Sequence, residues 1–434
     1  MAILPFQNSP LAAKLTLIGL IALGLMIPLS MLRGLIQERT RMRDQAVATV
    51  ANGWGGGLTS GGPMLRIPFT LNKKADNGEV TSELHQLYVL ADRLNVHATL
   101  EQREARRVGI YAVPVYVVRL KLTGSFQLAD VFAAAGAGEY HWNEARIRLP
   151  LSDVRSMREF NLASVAGRNV AFGPAWSAGF PGVEARLDLG AFAKDATLPF
   201  SMEMLLAGSQ SIALLPIAAT TQVSMHADWP DPQFQGAFLP ARYTVNERGF
   251  DAQWQVLALN RAFSQSWTDD EVDVAKLGGA SFGVALYQSV DVYQRSERAV
   301  KYALLFIALT FLSFFGWELI GGARVHPVQY LFIGLALSTF YLLLIALTEH
   351  LPFWLSYWLG AAALVTLLGF YIAGAMGSAR RGGVIAAVMS AVYALLYLLV
   401  LSESYALLMG AIALFGVLAT VMLATRKQQW EAAS

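Results

Sequence analysis

The chain has 434 residues, of which 55% are hydrophobic and only 15% are charged, and its mean hydropathy is +0.43. A typical soluble protein has about 45–50% apolar and about 25% charged residues, so this composition excludes a wholly soluble, a disordered or a fibrous protein. The absence of cysteine excludes disulfides, thiolate nucleophiles and cysteine-based metal sites. A net charge of +2 does not indicate nucleic acid as a partner.

Six charge-poor apolar stretches are candidates to cross a membrane as helices, because about 20 residues span a hydrocarbon core of about 30 Å. Five are long enough once flanking apolar residues are counted, and the second in chain order must place Glu318 near its end. The first occupies residues 11–32, after a short segment 1–10. The other five lie at about 299–320, 327–348, 353–376, 383–402 and 404–425, within a bundle 299–425 that is followed by a tail 426–434. The sequence therefore predicts a membrane protein with six transmembrane helices, one before and five after a large domain of residues 33–298.

The first apolar stretch has an alternative interpretation as a cleaved signal peptide. Its apolar run is longer than the usual core of about 7–15 residues in such peptides. No small-residue cleavage site follows it directly, and the nearest, Ala46-x-Ala48, comes only after an arginine-rich stretch. We therefore favour an uncleaved membrane anchor.

Basic and non-basic loops alternate along the C-terminal bundle. The basic segments contain Arg324, Arg380, Arg381, Arg426 and Lys427, and the segments between them contain Glu349, His350 and Glu403. Since Lys and Arg near helix ends remain in the cytoplasm, this alternation predicts that both termini are cytoplasmic and that the large domain is periplasmic. The arginines that follow the first helix, from Arg33 to Arg43, indicate the opposite orientation, but the C-terminal loops provide more of the evidence.

The large domain shows the alternation of apolar and polar residues that is typical of half-buried strands. The pattern is clear at residues 118–123, 183–189 and 250–256, and turn-rich breaks separate such runs. Only residues 35–50 have a helical pattern, which predicts a continuation of the first helix. We expect a large all-β domain of antiparallel sheets packed in a sandwich-like arrangement.

Motifs that would indicate catalysis or a cofactor are absent from the sequence. The glycine-rich segment 55–62 is followed by Pro63 instead of the Lys-Ser/Thr pair of a phosphate-binding loop. The six histidines form no HxH or HExxH pattern, and no Gly-x-Ser-x-Gly motif occurs. The sequence therefore predicts no catalytic residue, no metal site, no cofactor and no enzymatic activity.

Ionisable residues near the membrane require a separate interpretation, because such groups often mark functional sites. Glu318, Arg324 and His326 are expected near the cytoplasmic face, and Glu349, His350 and Glu403 near the outer face. They are either gates or docking points, or helix ends that pair locally, and we favour local pairing. Arg298 and Lys301 have the same predicted depth as Glu349 and opposite charge, which predicts that the three share one ring at the outer face.

Several long segments resemble the CreD family. In the bundle these are residues 297–311 and 324–330, followed by 334–350; in the domain they are residues 62–68, 107–111, 238–242 and 249–254. The resemblance covers nearly the whole chain in the same order. The family-motif or bundle-interface candidates are Arg242, Trp254, Arg298, Lys301, Glu318, His326, Gln329, Tyr330, Glu349 and His350.

The resemblance implies a bacterial inner-membrane protein that supports cell-envelope integrity as an output of the CreBC two-component system. It also implies a periplasmic domain, and it transfers no catalytic residue, cofactor or substrate. Two classes of function remain. The first is a non-enzymatic protein that sits in the lipid bilayer and binds periplasmic or inner-membrane envelope proteins. The second is a transporter or lipid-handling protein, which the lack of paired Gly/Pro-interrupted helices disfavours.

Overall fold

A computed structural model describes residues 10–74, 80–175, 181–269, 274–286, 292–321, 326–402 and 408–412, together with 415–416 and 419. The chain divides into two compact units. The helical unit consists of Met1–Arg43 and Val290–Ser434, and the β domain consists of Asp44–Ser289. The protein therefore combines a mainly helical part from both ends of the sequence with a central part that is rich in strands.

In the described residues, the short run 408–412 is helical and eight further α-helices have defined bounds. They are α1 (Pro10–Gly24), α2 (Met26–Trp54), α3 (Leu128–Ala133), α4 (Val274–Gly279), α5 (Val292–Gly321), α6 (Pro327–Thr348), α7 (Phe353–Met376) and α8 (Ala379–Leu401). Four helical segments of this part of the chain are long and apolar enough to cross a membrane: Ala13–Trp54, Pro327–Thr348, Phe353–Ala375 and Ala379–Leu401. The predicted span 299–320 lies within α5, which is not one of the four. The predicted span 404–425 lies largely outside the described residues.

The first membrane segment is nearly continuous from α1 into α2. Pro28 has no backbone N–H to donate to the carbonyl group of Gly24, and this explains the irregularity between the two helices. Hydrogen bonds from Leu25 N to Ile21 O and from Leu29 N to Leu25 O carry the helix across the break. The prediction that residues 35–50 continue the first helix is confirmed, because α2 extends to Trp54.

Small residues allow α7 and α8 to approach closely. A Cβ atom at Gly382 would lie 2.6 Å from the carbonyl oxygen of Gly369 and 2.7 Å from Cβ of Ala373. Such contacts between small residues are a common basis of helix association in membranes. Nearer the other end of this pair, the hydroxyl of Tyr357 donates a hydrogen bond of 2.7 Å to the carbonyl oxygen of Tyr393. The two helices are therefore joined at two levels.

The β domain contains eighteen strands in the described residues. They are β1 (Leu58–Gly61), β2 (Met64–Lys74), β3 (Val80–Val108), β4 (Tyr111–Gln127), β5 (Glu139–Tyr140), β6 (Arg146–Pro150), β7 (Met157–Val165), β8 (Arg168–Asn169), β9 (Gly173–Ala175), β10 (Gly182–Arg186), β11 (Thr197–Ser209), β12 (Ser211–Leu215), β13 (Ala218–Ala227), β14 (Pro232–Gly236), β15 (Arg242–Asn246), β16 (Gly249–Leu257), β17 (Ser266–Thr268) and β18 (Phe282–Leu286).

These strands form a four-stranded sheet, in the order β1-β12-β18-β14, and a large sheet of fourteen strands. The main path of the large sheet is β8-β7-β11-β4-β3-β2-β6-β10-β9, and β13, β16 and β15 extend it from β3. Pairing is antiparallel except for β1 with β12 and β3 with β13 among the described strands. The prediction of a large antiparallel β domain is therefore confirmed, and sandwich-like packing of its sheets stays a prediction.

The three alternating segments of the sequence are strands with one face in the core. Val118, Leu120 and Leu122 are fully buried on β4, whereas Arg119 and Lys121 between them are exposed. The same alternation occurs along β16 and in the segment that begins with β10. Burial of the apolar face provides most of the stability of such a sheet, and the other face is left for polar side chains.

The end of α2 is packed against the β3–β4 hairpin within the β domain. Val50 is buried together with Val113 and Val115 of β4, and Trp54 adds to this cluster. The indole ring of Trp54 also lies beneath the guanidinium groups of Arg106 and Arg158, whose central carbons are 4.4 Å and 4.8 Å from the ring centroid. Apolar contacts and cation–π attraction together fix this helix end on the domain.

Candidate functional site

A polar cluster joins three helices of the helical unit. Lys14 of α1 forms an ion pair with Glu318 of α5, and the hydroxyl of Tyr330 on α6 donates a 3.3 Å hydrogen bond to the same carboxylate. The ammonium group also lies 5.8 Å from the centroid of the Tyr330 ring. Lys14 and Glu318 therefore neutralise each other's charge close to apolar segments. Glu318 and Tyr330 were candidates from the sequence, and Lys14 was not among them.

His326 and Gln329 cap the start of α6. The backbone N–H of Val328 donates to Nδ1 of His326 at 3.3 Å, and the N–H of His326 donates to Oε1 of Gln329 at 2.9 Å. Pro327 occupies the first position of the helix, where a missing N–H has little effect. These contacts satisfy backbone donors that a helix start leaves unpaired, so they give both candidates a structural role.

A second ion pair lies at the opposite end of α6. Nε of Arg39 on α2 is 3.1 Å from Oε1 of Glu349, the residue that follows α6. His350 is exposed and its N–H donates to the carbonyl oxygen of Leu347. Lys301 is exposed on α5, and Arg298 is half-buried there. The expected ring of Arg298, Lys301 and Glu349 stays a prediction, and the partner that the structure gives Glu349 is Arg39.

The two polar clusters are separated by about the thickness of a membrane. Tyr330 and Glu349 are near opposite ends of α6, about 28 Å apart at a rise of about 1.5 Å per residue. The hydrocarbon core of a bilayer is about 30 Å thick. The ion pairs of Lys14 and Arg39 therefore join the first helix to its neighbours at both ends of this distance.

The β domain carries an open groove of about 560 Å³ on the polar face of its large sheet. We call it the polar groove. Its polar lining consists of the amide side chains of Asn95, Gln222, Gln253 and Gln255, together with His97, Ser224 and Arg242. Arg242 was a candidate from the sequence. Asn95 and Ser224 are half-buried and the other side chains are exposed.

Strand register places these side chains in rows that run across the sheet. Arg242 of β15 is opposite Gln253 of β16, and Gln253 is opposite Ser224 of β13. Ser224 is in turn opposite His97 of β3. A second row, two residues along each strand, contains Gln255, Gln222 and Asn95. Because side chains alternate between the faces of a strand, both rows project from the same face.

Hydrogen bonds connect neighbouring strands at the floor of the groove. Oγ of Ser224 lies 2.6 Å from Nδ1 of His97. One row further along, Nδ1 of His226 lies 2.9 Å from Oδ1 of Asp251, outside the groove lining. Within the described residues, no group of three or more His, Asp or Glu side chains is arranged to hold a metal ion. The groove offers amide, hydroxyl and imidazole groups and one guanidinium group, all of which can form hydrogen bonds with a ligand.

Trp254 is a core residue. Its side chain is 2% exposed, and its ring packs against Phe234 and Phe282 at centroid distances of 5.8 Å. Its Nε1 atom has no hydrogen-bond partner in the part of the chain that the structure describes. Only its neighbours Gln253 and Gln255 present side chains to the groove face, so the motif that contains Trp254 contributes to both the core and the groove.

A group of charges on β2, β6 and β10 was not expected from the sequence. Glu184 accepts from Arg146 at 2.8 Å and lies 3.6 Å from Arg66. Burial lowers the pKa of the nearby Arg148, and the negative charge of Glu184 offsets part of this effect. Burial also raises the pKa of Tyr88. The arrangement is a cross-strand ion network within the domain.

Sequence reasoning missed Lys14, Arg39 and most of the groove. Lys14 stands at the edge of an apolar stretch, and a charge in that position is a usable signal for a partner on another helix. The amides of the groove occupy the polar positions of the alternating pattern, including Gln253 and Gln255 in a run that was assigned to a strand. These side chains lie together because of the order of the strands in the sheet, and the alternating pattern does not predict that order.

Four long apolar helical segments, attached in sequence to a large β domain, define a polytopic membrane protein. A sequence model of the family described as "Inner membrane protein CreD" matches residues 10–431. The chain therefore belongs to the CreD family of inner membrane proteins. It is 29% identical over 432 residues to inner membrane protein CreD of Escherichia coli (strain K12), covering 98% of this chain and 95% of that protein.

Solved structures resemble the chain only weakly. A mutant M1 zinc metallopeptidase from Deinococcus radiodurans has a TM-score of 0.21 and 13% identity, with 38% of this chain and 39% of that chain covered. A putative nutrient binding protein from Legionella pneumophila has a TM-score of 0.29 and 8% identity, with 59% of this chain and 79% of that chain covered. Likenesses at these scores say nothing about what the chain binds.

Proposed function

We propose that the chain is a non-enzymatic protein of the bacterial inner membrane that exposes its β domain to the periplasm and binds an envelope component there. In this proposal it has six transmembrane helices, a sandwich-like β domain, and both termini in the cytoplasm. It supports cell-envelope integrity as an output of the CreBC two-component system, which is the role that its resemblance to the family implies.

The polar groove is the observation that carries this proposal. It is formed mainly by amide, hydroxyl and imidazole side chains together with the guanidinium group of Arg242, whereas Lys14 and Arg39 of the helical unit are held in ion pairs between helices. A binding surface on rigid strands can hold a partner without any motion of the helices. A role in recognition therefore agrees with the geometry better than a role in chemistry.

The charge pattern supports a periplasmic β domain. Basic residues recur in alternate loops of the C-terminal bundle, as the positive-inside rule requires. The arginines after the first helix are the evidence against this orientation. One of them, Arg39, is paired with Glu349, so part of that positive charge is compensated within the helical unit.

Reporter fusions test the orientation. Alkaline phosphatase fused after Gly190 is expected to be active, and green fluorescent protein fused to the C-terminus is expected to fluoresce. The matched control places the phosphatase at the C-terminus, where it is expected to be inactive. An inactive phosphatase after Gly190 or a non-fluorescent C-terminal fusion would contradict the proposal.

Photo-crosslinking from Gln253 in living cells then captures the bound component, with Gln233 of β14 as the control position.

A transporter or lipid-handling protein is the second candidate, and one observation favours it. The hydroxyl of Tyr341, in the interior of α6, is buried without a hydrogen-bond partner among the described residues. A buried polar group without a partner is costly and is often retained for function. If the bundle moves a polar solute past this hydroxyl, Tyr341→Phe abolishes transport of that solute. If the protein acts through its β domain, Tyr341→Phe leaves the cellular function unchanged.

A further inference from the structure

We infer that the polar groove binds a saccharide chain, which lies across strands β15, β16, β13 and β3 with successive sugars over successive strands. This inference rests on the proposed function for its location and adds the chemical class of the ligand. The inference does not involve the helical bundle, because every residue of the groove belongs to the β domain.

The composition of the groove indicates an uncharged, polyhydroxylated ligand. Four of its seven polar side chains are amides, each of which offers donors and an acceptor. A sugar ring presents adjacent hydroxyls that both donate and accept, so amides match it closely. The solvent-facing side of an ordinary sheet is instead rich in Lys and Glu, and neither residue type lines this groove.

The rows of side chains match the repeat of an extended polysaccharide. Neighbouring strands are about 4.8 Å apart, which is close to the advance of one sugar in a β-1,4-linked chain. The row formed by Arg242, Gln253, Ser224 and His97 therefore offers one polar group to each sugar. The parallel row with Gln255, Gln222 and Asn95 lies about 7 Å away along the strands and borders the other edge of the rings.

The polar row extends beyond the groove in the same direction. In the row of His97 the next residues are the charged Lys121 of β4 and Glu203 of β11, so the uncharged part of that row ends at His97. In the parallel row, Asn95 is opposite Thr123, which is opposite Ser201. A ligand longer than the groove would therefore continue to meet polar side chains. This continuity indicates a chain of sugars and not a single one.

Other ligand classes fit the groove less well. An extended peptide that joins a sheet uses the free backbone groups of an edge strand. Among the described strands of the groove, β16, β13 and β3 are paired on both sides and only β15 has a free edge, so an added peptide strand would lie beside β15 and would not cross the rows of the groove. A nucleic acid or an anionic lipid requires several basic groups, and Arg242 is the one cation in the described lining. An apolar ligand would leave the amides without hydrogen-bond partners.

Titration calorimetry on the full-length protein in lipid nanodiscs tests the inference. The probes are hexamers of β-1,4-linked N-acetylglucosamine, β-1,4-linked glucose and α-1,4-linked glucose, with a decapeptide of Ser and Gln as the comparison. At least one hexasaccharide is expected to bind with a sub-millimolar Kd, and a β-1,4 linked chain is expected to bind more tightly than the α-1,4 chain. The peptide is expected not to bind.

A double variant connects the binding to the groove. Gln222→Ala with Gln253→Ala is expected to weaken the binding of the saccharide about tenfold or more, because it removes two sets of hydrogen bonds. The matched control is Gln233→Ala with Gln235→Ala, two exposed amides on β14, which is expected to leave the Kd unchanged. Both doubles are expected to unfold at the temperature of the parent, which shows that the sheet is intact.

The inference is overturned if no hexasaccharide binds, if only the peptide binds, or if both double variants weaken binding equally. The alkaline phosphatase fusion after Gly190 tests the periplasmic location of the proposed function independently of saccharide binding. An active phosphatase with no saccharide binding rejects the inference alone. An inactive phosphatase rejects the periplasmic location, whatever the groove binds in nanodiscs.

Discussion

Nε of Arg39 lies 3.1 Å from Oε1 of Glu349, so the residue that closes α6 is joined to the long first helix. The sequence analysis predicted Glu349 to be a polar residue at a helix end. It counted Arg39 among the arginines that argue against the predicted orientation. Their pairing shows that the two observations concern one contact. At the other end of α6, Lys14 and Glu318 make the equivalent connection between the first helix and α5.

Removal of Arg39 is expected to destabilise the helical unit moderately. Arg39→Ala leaves the largely buried carboxylate of Glu349 without this cation, and we expect a loss of about 1 kcal/mol, because Arg39 itself is one-third exposed. Thermal unfolding in detergent micelles at low and high salt measures the loss. Arg41→Ala, at an exposed position of α2, is the control. Equal unfolding temperatures of the two variants would show that the pair contributes nothing.

The pair of Lys14 and Glu318 is expected to contribute more, because both side chains are largely buried. Lys14→Met leaves the carboxylate of Glu318 with the hydroxyl of Tyr330 as its contact among the described residues, and we expect a loss of about 3 kcal/mol. The charge exchange Lys14→Glu with Glu318→Lys is expected to restore most of the stability. Thermal unfolding of both variants in micelles provides the comparison. An exchange variant as unstable as the single one would refute direct pairing.

Gly382 and Gly383 are adjacent on α8 but have different surroundings. A Cβ atom at Gly382 overlaps the backbone of α7, whereas one at Gly383 meets nothing within 4 Å. Gly382→Ala is therefore expected to cost about 2 kcal/mol by forcing α7 and α8 apart. Gly383→Ala is expected to be neutral or slightly stabilising, because alanine favours helix. Thermal unfolding of the two single variants distinguishes these outcomes, and similar losses would exclude close packing at Gly382.

The positive charge of Arg261, in the β domain, is expected to lower the free energy of unfolding at neutral pH. Burial lowers its pKa to about 10, and its Nε and Nη1 atoms make no hydrogen bond within the described residues. The folded state therefore disfavours the charged form, and the penalty is full below pH 10 and fades as the pH rises above it. Arg261→Met is expected to raise the free energy of unfolding by about 1 kcal/mol at pH 7.

Chemical denaturation of the full-length protein between pH 6 and pH 11 measures this effect. The gain of Arg261→Met is expected to be constant up to about pH 9 and to shrink above pH 10. Arg103→Met, at an exposed position of β3, is the control and is expected to give no gain. A variant less stable than the parent at pH 7 would show that the guanidinium group contributes favourable contacts, such as the one with the Phe263 ring.

Local patterns of the sequence were sufficient for much of the fold. The apolar stretches at 327–348 and 353–376 predict α6 and α7 closely, because a membrane helix is defined by the hydropathy of its own residues. The strands around Leu120 and Trp254 follow from period-two alternation, since that pattern reports which face is buried. Hydropathy and alternation along the chain are thus enough to predict a membrane protein and to distinguish its helices from its strands.

Which elements contact each other depends on how the whole chain packs. β13 pairs in parallel with β3, whose residues precede it by more than a hundred positions, and this pairing brings Ser224 beside His97. The partners Lys14 and Glu318 are 304 residues apart. Hydropathy and alternation indicate whether each residue is buried or exposed. They do not indicate which distant residue it contacts in the folded chain. The polar groove and the ion pairs are relations between distant segments, and packing of the whole chain is what selects them.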